Sequence, residues 1–472
     1  MSPVHQQATW CLARLLLALP VLAACQGPNL HGPVASAHSV SHAWVQAADN
    51  GRWVARAMTS TACPALQVDG QLLPMAERVG PAVVPARAGG PQADVREAAF
   101  AQRVCEATLP AGASQVLLDG RRLPSPPTQP RRIVLVGDTG CRMKQSENAF
   151  QDCNDPVRWP FATVARQAAA WHPDLVIHVG DVHYRESPCP AGRAGCAGSP
   201  WGYGEVAWLA DFMQPAQALL QAAPWVMVRG NHESCSRAGV GWFRYLDAAP
   251  WRAEAACVDP ALDAQAEYTP PFAVALDAQT QLLVFDSASV PGKPHAPQDP
   301  ALARLTSRLQ ALGELAARKP HNIVLHHHPV LAFAGGHDGQ ARPGHAGLMA
   351  AMRSQHPQRL YAPGVDLVLN GHVHLFEALG FASDHPSTLV IGNSGSAMEG
   401  HIDPSDAQGR QPAPGAVVST FVTHAQFGYA TLERPHDAGP WVLTAWSTQG
   451  AVMARCQLAA GRLSCPATPP GA

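Results

Sequence analysis

The chain has 472 residues and a formal net charge of −2, so it is long enough for two domains or for one large domain with an accessory one. Hydrophobic residues make up 47% of it, which allows a sizeable core, whereas charged residues make up only 14%. The near-zero net charge, with acidic and basic residues interspersed, argues against a nucleic-acid-binding protein, because such proteins depend on attraction to phosphates.

The N-terminus predicts export from the cell. A positive charge at Arg14 precedes a short apolar run that ends in Leu22-Ala23-Ala24-Cys25. This run is too short to span a bilayer, which favours a signal peptide over residues 1–25. Its end resembles a bacterial lipobox, whose cysteine is acylated and becomes the mature N-terminus. An ordinary secretory signal, in which Cys25 is incidental, is the alternative.

The lipobox reading predicts an exported bacterial lipoprotein, at the outer membrane or otherwise in the periplasm or at the cell surface. Gln26 follows the cysteine, which in that family pattern favours the outer membrane. Residues 26–42 would be a tether, and the lipid anchor would be the only contact with a membrane.

Residues 43–123 predict a small β-sandwich-like accessory domain. Short β-like runs alternate there with Gly, Asn and Pro turn signals. The runs are Trp53–Ala57, Ala65–Val68 and Ser114–Leu118. A Pro-rich linker over residues 124–130 then leads into the rest of the chain.

Residues 131–472 predict an α/β catalytic domain, because strand-like apolar runs alternate with helical stretches. The predicted strands are Ile133–Val136, Leu175–Val179, Trp225–Val228, Leu282–Phe285, Ile323–Leu325, Val365–Leu369 and Thr388–Ile391. The clearest predicted helices are Ala162–Trp171, Trp208–Ala222 and Ala301–Arg318.

The cysteines predict five disulfide bonds. Two of the twelve, Cys11 and Cys25, belong to the predicted signal, and the others fall into neighbouring pairs. An exported chain meets an oxidising compartment, although sequence alone does not prove a connectivity. The simplest scheme pairs neighbours: Cys63 with Cys105, Cys141 with Cys153, Cys189 with Cys196, Cys235 with Cys257, and Cys456 with Cys465. A cysteine zinc site is the alternative, but the chain has no C-x-x-C pair.

Five of the predicted strands end in a polar cluster. The clusters are Gly137-Asp138-Thr139-Gly140, Gly180-Asp181-Val182-His183-Tyr184, Gly230-Asn231-His232-Glu233, His326-His327-His328-Pro329 and Asn370-Gly371-His372-Val373-His374. Ligands of α/β sheets gather outside the carboxyl ends of the strands, so these clusters are expected to meet in one crevice. Their oxygen and imidazole donors suit Fe, Mn or Zn rather than Ca, and they suffice for two metal ions.

The order of these clusters resembles the calcineurin-like metallophosphoesterases: Asp, then G-D-x-x-Y, G-N-H-E, H-x-P and G-H-x-H. The resemblance spans roughly residues 131–377 and implies a β-sandwich flanked by helices, in four layers α/β/β/α, preceded here by the small all-β domain. Many members carry D-x-H in the first cluster, but this chain has Gly140 at the histidine position. Tyr184 in the second cluster instead resembles the purple acid phosphatases, whose plant members also carry an N-terminal β-sandwich.

That resemblance implies two sets of metal ligands that share Asp181. The first metal, expected to be Fe, would take Asp138, Asp181, Tyr184 and His374. The second metal, Fe, Zn or Mn, would take Asp181, Asn231, His327 and His372. The H-x-P spacing selects His327, with His326 or His328 as the alternative.

The resemblance also implies roles outside the metal ligands. His232 would be a proton donor or a clamp on the phosphate. His337 fits the spacing of a substrate-contacting histidine, with a solvated loop histidine as the alternative. Glu233, Glu377 and Asp286 are expected to support the site rather than to react.

These features predict a binuclear metal-dependent hydrolase of small-molecule phosphomonoesters, similar to the purple acid phosphatases. Metal-bound hydroxide would attack the phosphate, and His232, with His337, would protonate the leaving group. A phosphodiesterase on the same core, or an inactive surface-binding lipoprotein, is the alternative.

Overall fold

The computed structural model describes residues 40–87, 96–335, 338–435 and 439–466. The predicted signal peptide, Cys25 and His337 lie outside these residues. None of the helices in the described ranges combines the length and the apolar composition that crossing a bilayer requires.

The described part of the N-terminal segment is rich in strands, as the sequence predicts. It contains β1 (Val40–Ala47), β2 (Trp53–Thr59), β3 (Ala65–Val68), β4 (Gln71–Pro74), β5 (Ala76–Val79), β6 (Ala82–Val84), β7 (Ala98–Phe100), β8 (Arg103–Thr108), β9 (Val116–Leu118) and β10 (Arg121–Leu123).

Strands and helices alternate over much of the following segment. The strands are β11 (Arg132–Val136), β12 (Met143–Lys144), β13 (Ala149–Phe150), β14 (Leu175–His178), β15 (Trp225–Met227), β16 (Phe272–Ala275), β17 (Thr280–Val284), β18 (His321–Leu325), β19 (Phe333–Gly335), β20 (Ala341–Pro343), β21 (Val365–Asn370), β22 (Phe376–Phe381), β23 (Ser387–Ile391), β24 (Val418–His424), β25 (Gly428–Glu433), β26 (Trp441–Ser447), β27 (Val452–Ala459) and β28 (Arg462–Ser464). The helices are α1 (Phe161–Ala170), α2 (Glu205–Trp208), α3 (Gln217–Ala222), α4 (Gly239–Tyr245), α5 (Pro300–Ala316), α6 (Ala346–Gln355) and α7 (Pro404–Ala407).

Two large mixed sheets form the centre of the fold. The first has the strand order β28-β27-β26-β25-β11-β14-β15-β1-β2-β8-β5, and the second has the order β16-β17-β18-β21-β23-β22-β24. Neighbouring strands are parallel from β11 to β1 in the first sheet and from β17 to β23 in the second. Parallel strands carry their carboxyl ends to the same edge, which brings the predicted polar clusters together.

Alternating side chains of the parallel strands fill separate cores. Ile133 and Leu135 of β11 pack in a core shared by strands of both sheets, whereas Val134 and Val136 pack in a core with residues of α1, α3 and α4. In the second sheet, Leu283 and Val324 pack with α5 and α6. Since strands buried on both faces read as continuous apolar runs, their sequences predict a sheet covered by helices. The predicted four-layer α/β/β/α sandwich is confirmed.

Helix α5 shows how the sequence sets a helix and its packing. The Asp299 side chain accepts a hydrogen bond from Ala301 N, and Pro300 occupies the first turn, where a missing N–H costs nothing. Leu305, Leu309 and Leu312 lie on one face and are buried against the second sheet.

The predicted helix Trp208–Ala222 is interrupted. Helix α2 ends at Trp208, a wider helical turn covers Leu209–Met213, and α3 begins only at Gln217. Pro215 lies in the gap, where its ring and missing N–H disfavour a continuous helix.

The N-terminal strands share a sheet with the rest of the chain. Gln46 of β1 pairs in parallel with Trp225 of β15, while the sheet β10-β9-β3-β4 packs on β1, β2 and β8 through a core of its own. Strand β1 begins at Val40, inside the predicted tether. The described residues all belong to one compact unit. The boundary at residues 124–130 stays a prediction.

All five predicted disulfide bonds are present with the predicted pairing. Such a number of disulfides is typical of proteins that fold in an oxidising compartment, outside the cytosol. Three of the bonds begin shortly after a ligand-bearing strand end, at Cys141, Cys189 and Cys235.

Candidate metal centre

The five polar clusters lie at the carboxyl ends of β11, β14, β15, β18 and β21 and converge. Three predicted ligands have left-handed backbone angles, with φ of 52° at Asp138, 56° at Asp181 and 73° at His372. Residues other than glycine rarely adopt these angles, and such strain clusters at functional sites.

The glycines of these clusters allow close approach of the loops. A Cβ atom at Gly230 would lie 2.1 Å from Asp181 Oδ1, and one at Gly371 would lie 2.5 Å from Asp138 Oδ2. Only glycine leaves room for these carboxylates, which explains the residue type in two of the motifs.

The first group of donors meets at the Tyr184 hydroxyl. This oxygen lies 2.8 Å from Asp138 Oδ1, 2.9 Å from Asp181 Oδ2 and 2.8 Å from His374 Nε2. All four side chains are almost completely buried. They are the residues that the resemblance to the purple acid phosphatases assigns to the first metal.

The second group of donors meets at the Asn231 amide oxygen. Asn231 Oδ1 lies 3.1 Å from His327 Nε2 and 2.9 Å from His372 Nδ1. His327 Nε2 is also 3.1 Å from Asp181 Oδ2, so Asp181 joins the two groups. Donor atoms of Asp181, His327 and His372 lie within 4.8 Å of one another.

Backbone carbonyls orient two of the imidazoles. His327 Nδ1 lies 2.9 Å from Val179 O, and His374 Nδ1 lies 2.7 Å from Ala397 O. With each Nδ1–H donated outward, each Nε2 presents a lone pair to the centre, the arrangement typical of metal-binding histidines. Among the three consecutive histidines, His327 contacts Asp181 and Asn231, whereas His326 Nε2 contacts the hydroxyl of Tyr361 at 2.8 Å.

Two buried carboxylates fix the backbone of the ligand loops. Glu233 accepts hydrogen bonds from the backbone N–H groups of Asp181, Val182, His183 and Gly230. Asp211 accepts hydrogen bonds from those of Cys141, Tyr184 and Arg185. Sequence reasoning missed Asp211, because its position inside a predicted helix carries no signal of a distant contact.

Two further acidic residues lie away from the donors. Asp286 Oδ2 is 3.2 Å from Arg229 Nη1, and Arg229 Nε donates to the backbone oxygen of Glu233. Glu377 is buried and accepts a hydrogen bond from Phe333 N. Both residues contact supporting groups rather than the converging donors.

The charges of the donors indicate that the centre suits cations. Burial opposes a charged His327, yet the neighbouring Asp181 raises the pKa of this imidazole to about 9. Burial, together with Asp138 and Asp181, raises the pKa of Tyr184 well above its usual value. A metal ion could displace the protons of His327 and Tyr184 and compensate the negative charge of the neighbouring carboxylates. The oxygen and imidazole donor set fits Fe, Zn or Mn.

His232 lies beside the donors without being one of the converging ligands. Its ring centroid is 3.8 Å from that of Tyr184, and its Nε2 lies 3.9 Å from Asp181 Oδ2. Its Nδ1 is 2.7 Å from Glu186 Oε1, and Arg237 Nη2 lies 2.8 Å from its Nε2. Burial and then the charge of Arg237 lower the pKa of His232 to about 4.

His345 is a histidine near the centre that sequence reasoning missed. Its ring centroid lies 4.3 Å from that of His328 and 6.2 Å from that of His372. Its Nδ1 accepts a hydrogen bond from Leu348 N at the start of α6, which leaves Nε2 as the other polar atom of the ring. The N-cap position was the only local signal in the sequence.

The solved structures named below are distant from this chain in sequence. No curated protein matches the chain. Among solved structures, purple acid phosphatase PPD1 from yellow lupin (Lupinus luteus) is 14% identical, with a TM-score of 0.53, over 89% of this chain and 74% of that one. A structure of PhoD is 11% identical, with a TM-score of 0.45, over 91% and 92% of the two chains. A dimetal phosphatase from Danio rerio is 12% identical, with a TM-score of 0.38, over 70% and 98%.

The lupin structure shows a similar fold and, at this identity, no more than that. The sequence pattern of the calcineurin-like phosphoesterases matches residues 131–376. This segment contains all five polar clusters and makes up more than half of the chain. The chain therefore belongs to the calcineurin-like phosphoesterase family.

Proposed function

We propose that the protein is a binuclear metal-dependent hydrolase of phosphomonoesters, similar to the purple acid phosphatases. The observation that carries this proposal is the continuous donor set, in which Asp181 joins the group around Tyr184 to the group around Asn231. A complete set of oxygen and imidazole donors argues against the alternative of an inactive binding protein.

Each group of donors would hold one cation. Asp138, Asp181, Tyr184 and His374 would hold the first, and the phenol oxygen of Tyr184 favours a trivalent iron there. Asp181, Asn231, His327 and His372 would hold an Fe, Zn or Mn ion. When bound, the two cations neutralise phosphate oxygens and lower the pKa of a water molecule, so that water can replace the alcohol on phosphorus.

Histidines beside the donors would handle the leaving group. His232 lies next to the shared ligand Asp181, and its Nδ1 is 2.7 Å from Glu186 Oε1. These contacts would hold the ring beside a phosphate bound over Asp181. The His232 pKa of about 4 leaves the ring neutral near neutral pH, so it would clamp the phosphate through an N–H, or donate a proton to the departing oxygen once the negative phosphate raises that pKa. His345 would approach the substrate from the side of the second group, and His337, outside the described residues, remains a further candidate.

Metal analysis with matched assays tests the proposal. The purified protein, loaded with Fe or Zn, should hydrolyse 4-nitrophenyl phosphate and should be much less active on bis(4-nitrophenyl) phosphate. A preference for the diester would assign a phosphodiesterase. No turnover of either compound by a protein that holds two metal ions would leave the binding-protein alternative.

His232→Ala provides the matched variant for the proton donor. We expect this variant to keep its two metal ions and lose most turnover, by roughly 100-fold or more, in the range typical of general acids. Loss of metal in this variant would instead make His232 a ligand.

The location of the protein in the cell is part of the same proposal. The five disulfides fit an exported protein. We propose a lipid anchor at Cys25, which would place the enzyme at the outer membrane, on small-molecule phosphate esters. Mass spectrometry of the mature N-terminus should show an acylated cysteine, and a free N-terminus at another residue would reject the anchor.

A further inference from the structure

The histidine at the start of α6 lies against the second group of donors. The ring centroid of His345 is 4.3 Å from that of His328 and 6.2 Å from that of His372. The His328 ring is in turn 4.5 Å from the His372 ring. The three imidazoles therefore form one contiguous cluster, in which only His372 is a predicted metal ligand.

Two hydrogen bonds fix His345 between the loop that follows β18 and the start of α6. Its backbone N–H donates to Pro329 O at 2.7 Å, and its Nδ1 accepts from Leu348 N at 3.2 Å. A Cβ atom at the preceding Gly344 would lie 2.5 Å from Pro329 O, so only glycine allows the two loops to come this close. The ring is thus held in position by the protein itself.

The hydrogen bond to Nδ1 also decides which ring nitrogen of His345 carries the proton. Nδ1 needs a free lone pair to accept the N–H of Leu348, and a neutral imidazole with a bare Nδ1 carries its hydrogen on Nε2. Among the residues that the structure describes, none makes a hydrogen bond with His345 Nε2. The half-buried ring therefore has a fixed N–H donor without a partner, beside the second group of donors.

His345 and His232 lie at different parts of the centre. The His232 ring centroid is 3.8 Å from that of Tyr184 in the first group, whereas His345 lies near His372 in the second. A phosphate held by both cations of the proposed centre would span the two groups, so a donor on each side would face one of its oxygens. An N–H group binds such a charged oxygen more strongly than a neutral acceptor.

We propose that His345 binds an oxygen of the hydrolysed phosphate through its Nε2–H and does not transfer that proton. This inference rests on the proposed hydrolysis of phosphomonoesters, and it gives His345 a role different from that of His232. Acting as a general acid would require a second proton on Nδ1 of His345, which would displace the N–H of Leu348 and remove the cap of α6. The helix cap thus keeps the ring as a hydrogen-bond donor.

Two substitutions separate the roles of the two ring nitrogens. His345→Asn keeps an acceptor near the place of Nδ1, because Asn is a preferred N-cap residue, but it has no group at the place of Nε2. We expect it to keep the thermal midpoint of the wild type and to lower kcat/KM for 4-nitrophenyl phosphate by about tenfold or more, the loss typical of a hydrogen bond to a charged group. His345→Gln reaches toward the place of Nε2 but caps poorly, so it should lower the thermal midpoint and keep more activity than His345→Asn.

The comparison of these variants can overturn the proposal. A folded His345→Asn protein with the kcat/KM of the wild type would do so. A larger loss of kcat/KM in His345→Gln than in His345→Asn would do so as well, because activity would then follow the helix cap rather than Nε2. If only His345→Gln folds, a kcat/KM near that of the wild type supports the proposal, and a loss of about tenfold or more overturns it.

The pH profile distinguishes binding from proton transfer. The titratable groups that face His345 are His327, His328 and His372, and they are present in both the wild type and His345→Asn. The ratio of the two kcat/KM values should therefore be the same from pH 5 to pH 8. A loss confined to one limb of the profile would make His345 a proton donor and overturn the proposal.

His321→Asn is the matched control. His321 lies at the start of β18, at the opposite end of the strand from His327, and 54% of its side chain is exposed. The same substitution at this position should leave kcat/KM unchanged.

A binding measurement separates this inference from the proposed function. Calorimetry on the metal-loaded proteins should show that His345→Asn binds inorganic phosphate about tenfold more weakly than the wild type does, while elemental analysis finds the same metal content in both. If the wild type does not hydrolyse 4-nitrophenyl phosphate but this difference in binding is found, the proposed function fails and the role of His345 stands. If the wild type hydrolyses it and both proteins bind phosphate alike, the role of His345 fails and the function stands. Loss of metal in His345→Asn would make His345 a ligand and overturn the proposal.

Discussion

The two halves of the candidate metal centre differ in charge and in surroundings. The half around Tyr184 consists of two carboxylates, a phenol and one imidazole, and the Glu186 carboxylate, in contact with His232, lies beside it. The half around Asn231 shares the Asp181 carboxylate but otherwise offers an amide and two imidazoles, with the rings of His328 and His345 nearby. In the proposed centre, the first half would therefore suit a harder, more highly charged cation, and the second would suit a divalent ion.

The surroundings of the two halves also differ in how they are fixed. On the first side, Asp211 binds the backbone of Cys141 and Tyr184, close to the Cys141–Cys153 disulfide. On the second side, Glu233 binds the loop of Asp181 and Gly230, and Cys235 of the Cys235–Cys257 disulfide follows closely. Asp211 thus supports the first half alone, whereas Glu233 supports the loop of the ligand that both halves share, so only the first half can be weakened separately through its carboxylate.

The largest effect is expected where the two halves meet. Asp181→Ala removes the shared carboxylate, so we expect both metal ions to be lost and turnover to fall by more than roughly 100-fold, beyond the range for residues outside the ligand set. Elemental analysis and a phosphatase assay measure the two losses. A variant that keeps one equivalent of tightly bound metal would show that the halves bind independently.

Tyr184→Phe should affect the first half alone. Phenolate bound to Fe(III) absorbs visible light by charge transfer, so the iron-loaded, oxidised wild type should show a broad visible band that disappears in the variant. The second half should still bind Zn, because Asn231, His327 and His372 are unchanged. An active, iron-loaded wild type without such a band would mean that Tyr184 is not a ligand.

A smaller effect is expected from the two buried carboxylates behind the ligands. Asp211→Asn should weaken metal binding at the first half by about 10- to 100-fold, the range for groups that orient ligands. Glu233→Gln should weaken the shared loop of Asp181 and so affect both halves. Titration with a metal chelator compares the metal affinities of the two variants. Equal losses of affinity at both halves in Asp211→Asn would contradict a role of Asp211 in the first half alone.

The last expected effect is a pH dependence of metal binding at the second half. The pKa of His327 is raised to about 9, so below this pH a metal ion must displace its proton. Because the folded pKa is raised, the protonated form is present at neutral pH, and apparent Zn affinity should fall by up to about tenfold per unit as pH drops below 9. A chelator competition between pH 6 and pH 9 measures the slope. His327→Gln serves as the control, because it should lose this part of the slope.

The parallel strands are the part of the fold that the sequence predicted best. All seven predicted strands of the catalytic part are present, because strands buried on both faces leave continuous apolar runs. The C-terminal strands β24 to β28 and helices α4 and α6 were not predicted. Alternating or short segments of this kind resemble loops when their partner strands are unknown. The break in Trp208–Ala222 was missed in the same way.

Local sequence determined which residues could bind metal ions and which cysteines could pair, because strand ends, glycine turns and short cysteine spacings are local features. The disulfide pairing is confirmed, and the ligand roles stay predictions whose residues the structure places together. Only the tertiary structure decided that Asp211 supports Tyr184, that Glu186 holds Arg237 against His232, and that β1 pairs with β15. These contacts join segments far apart in the chain, and such contacts leave no periodicity or motif in either segment.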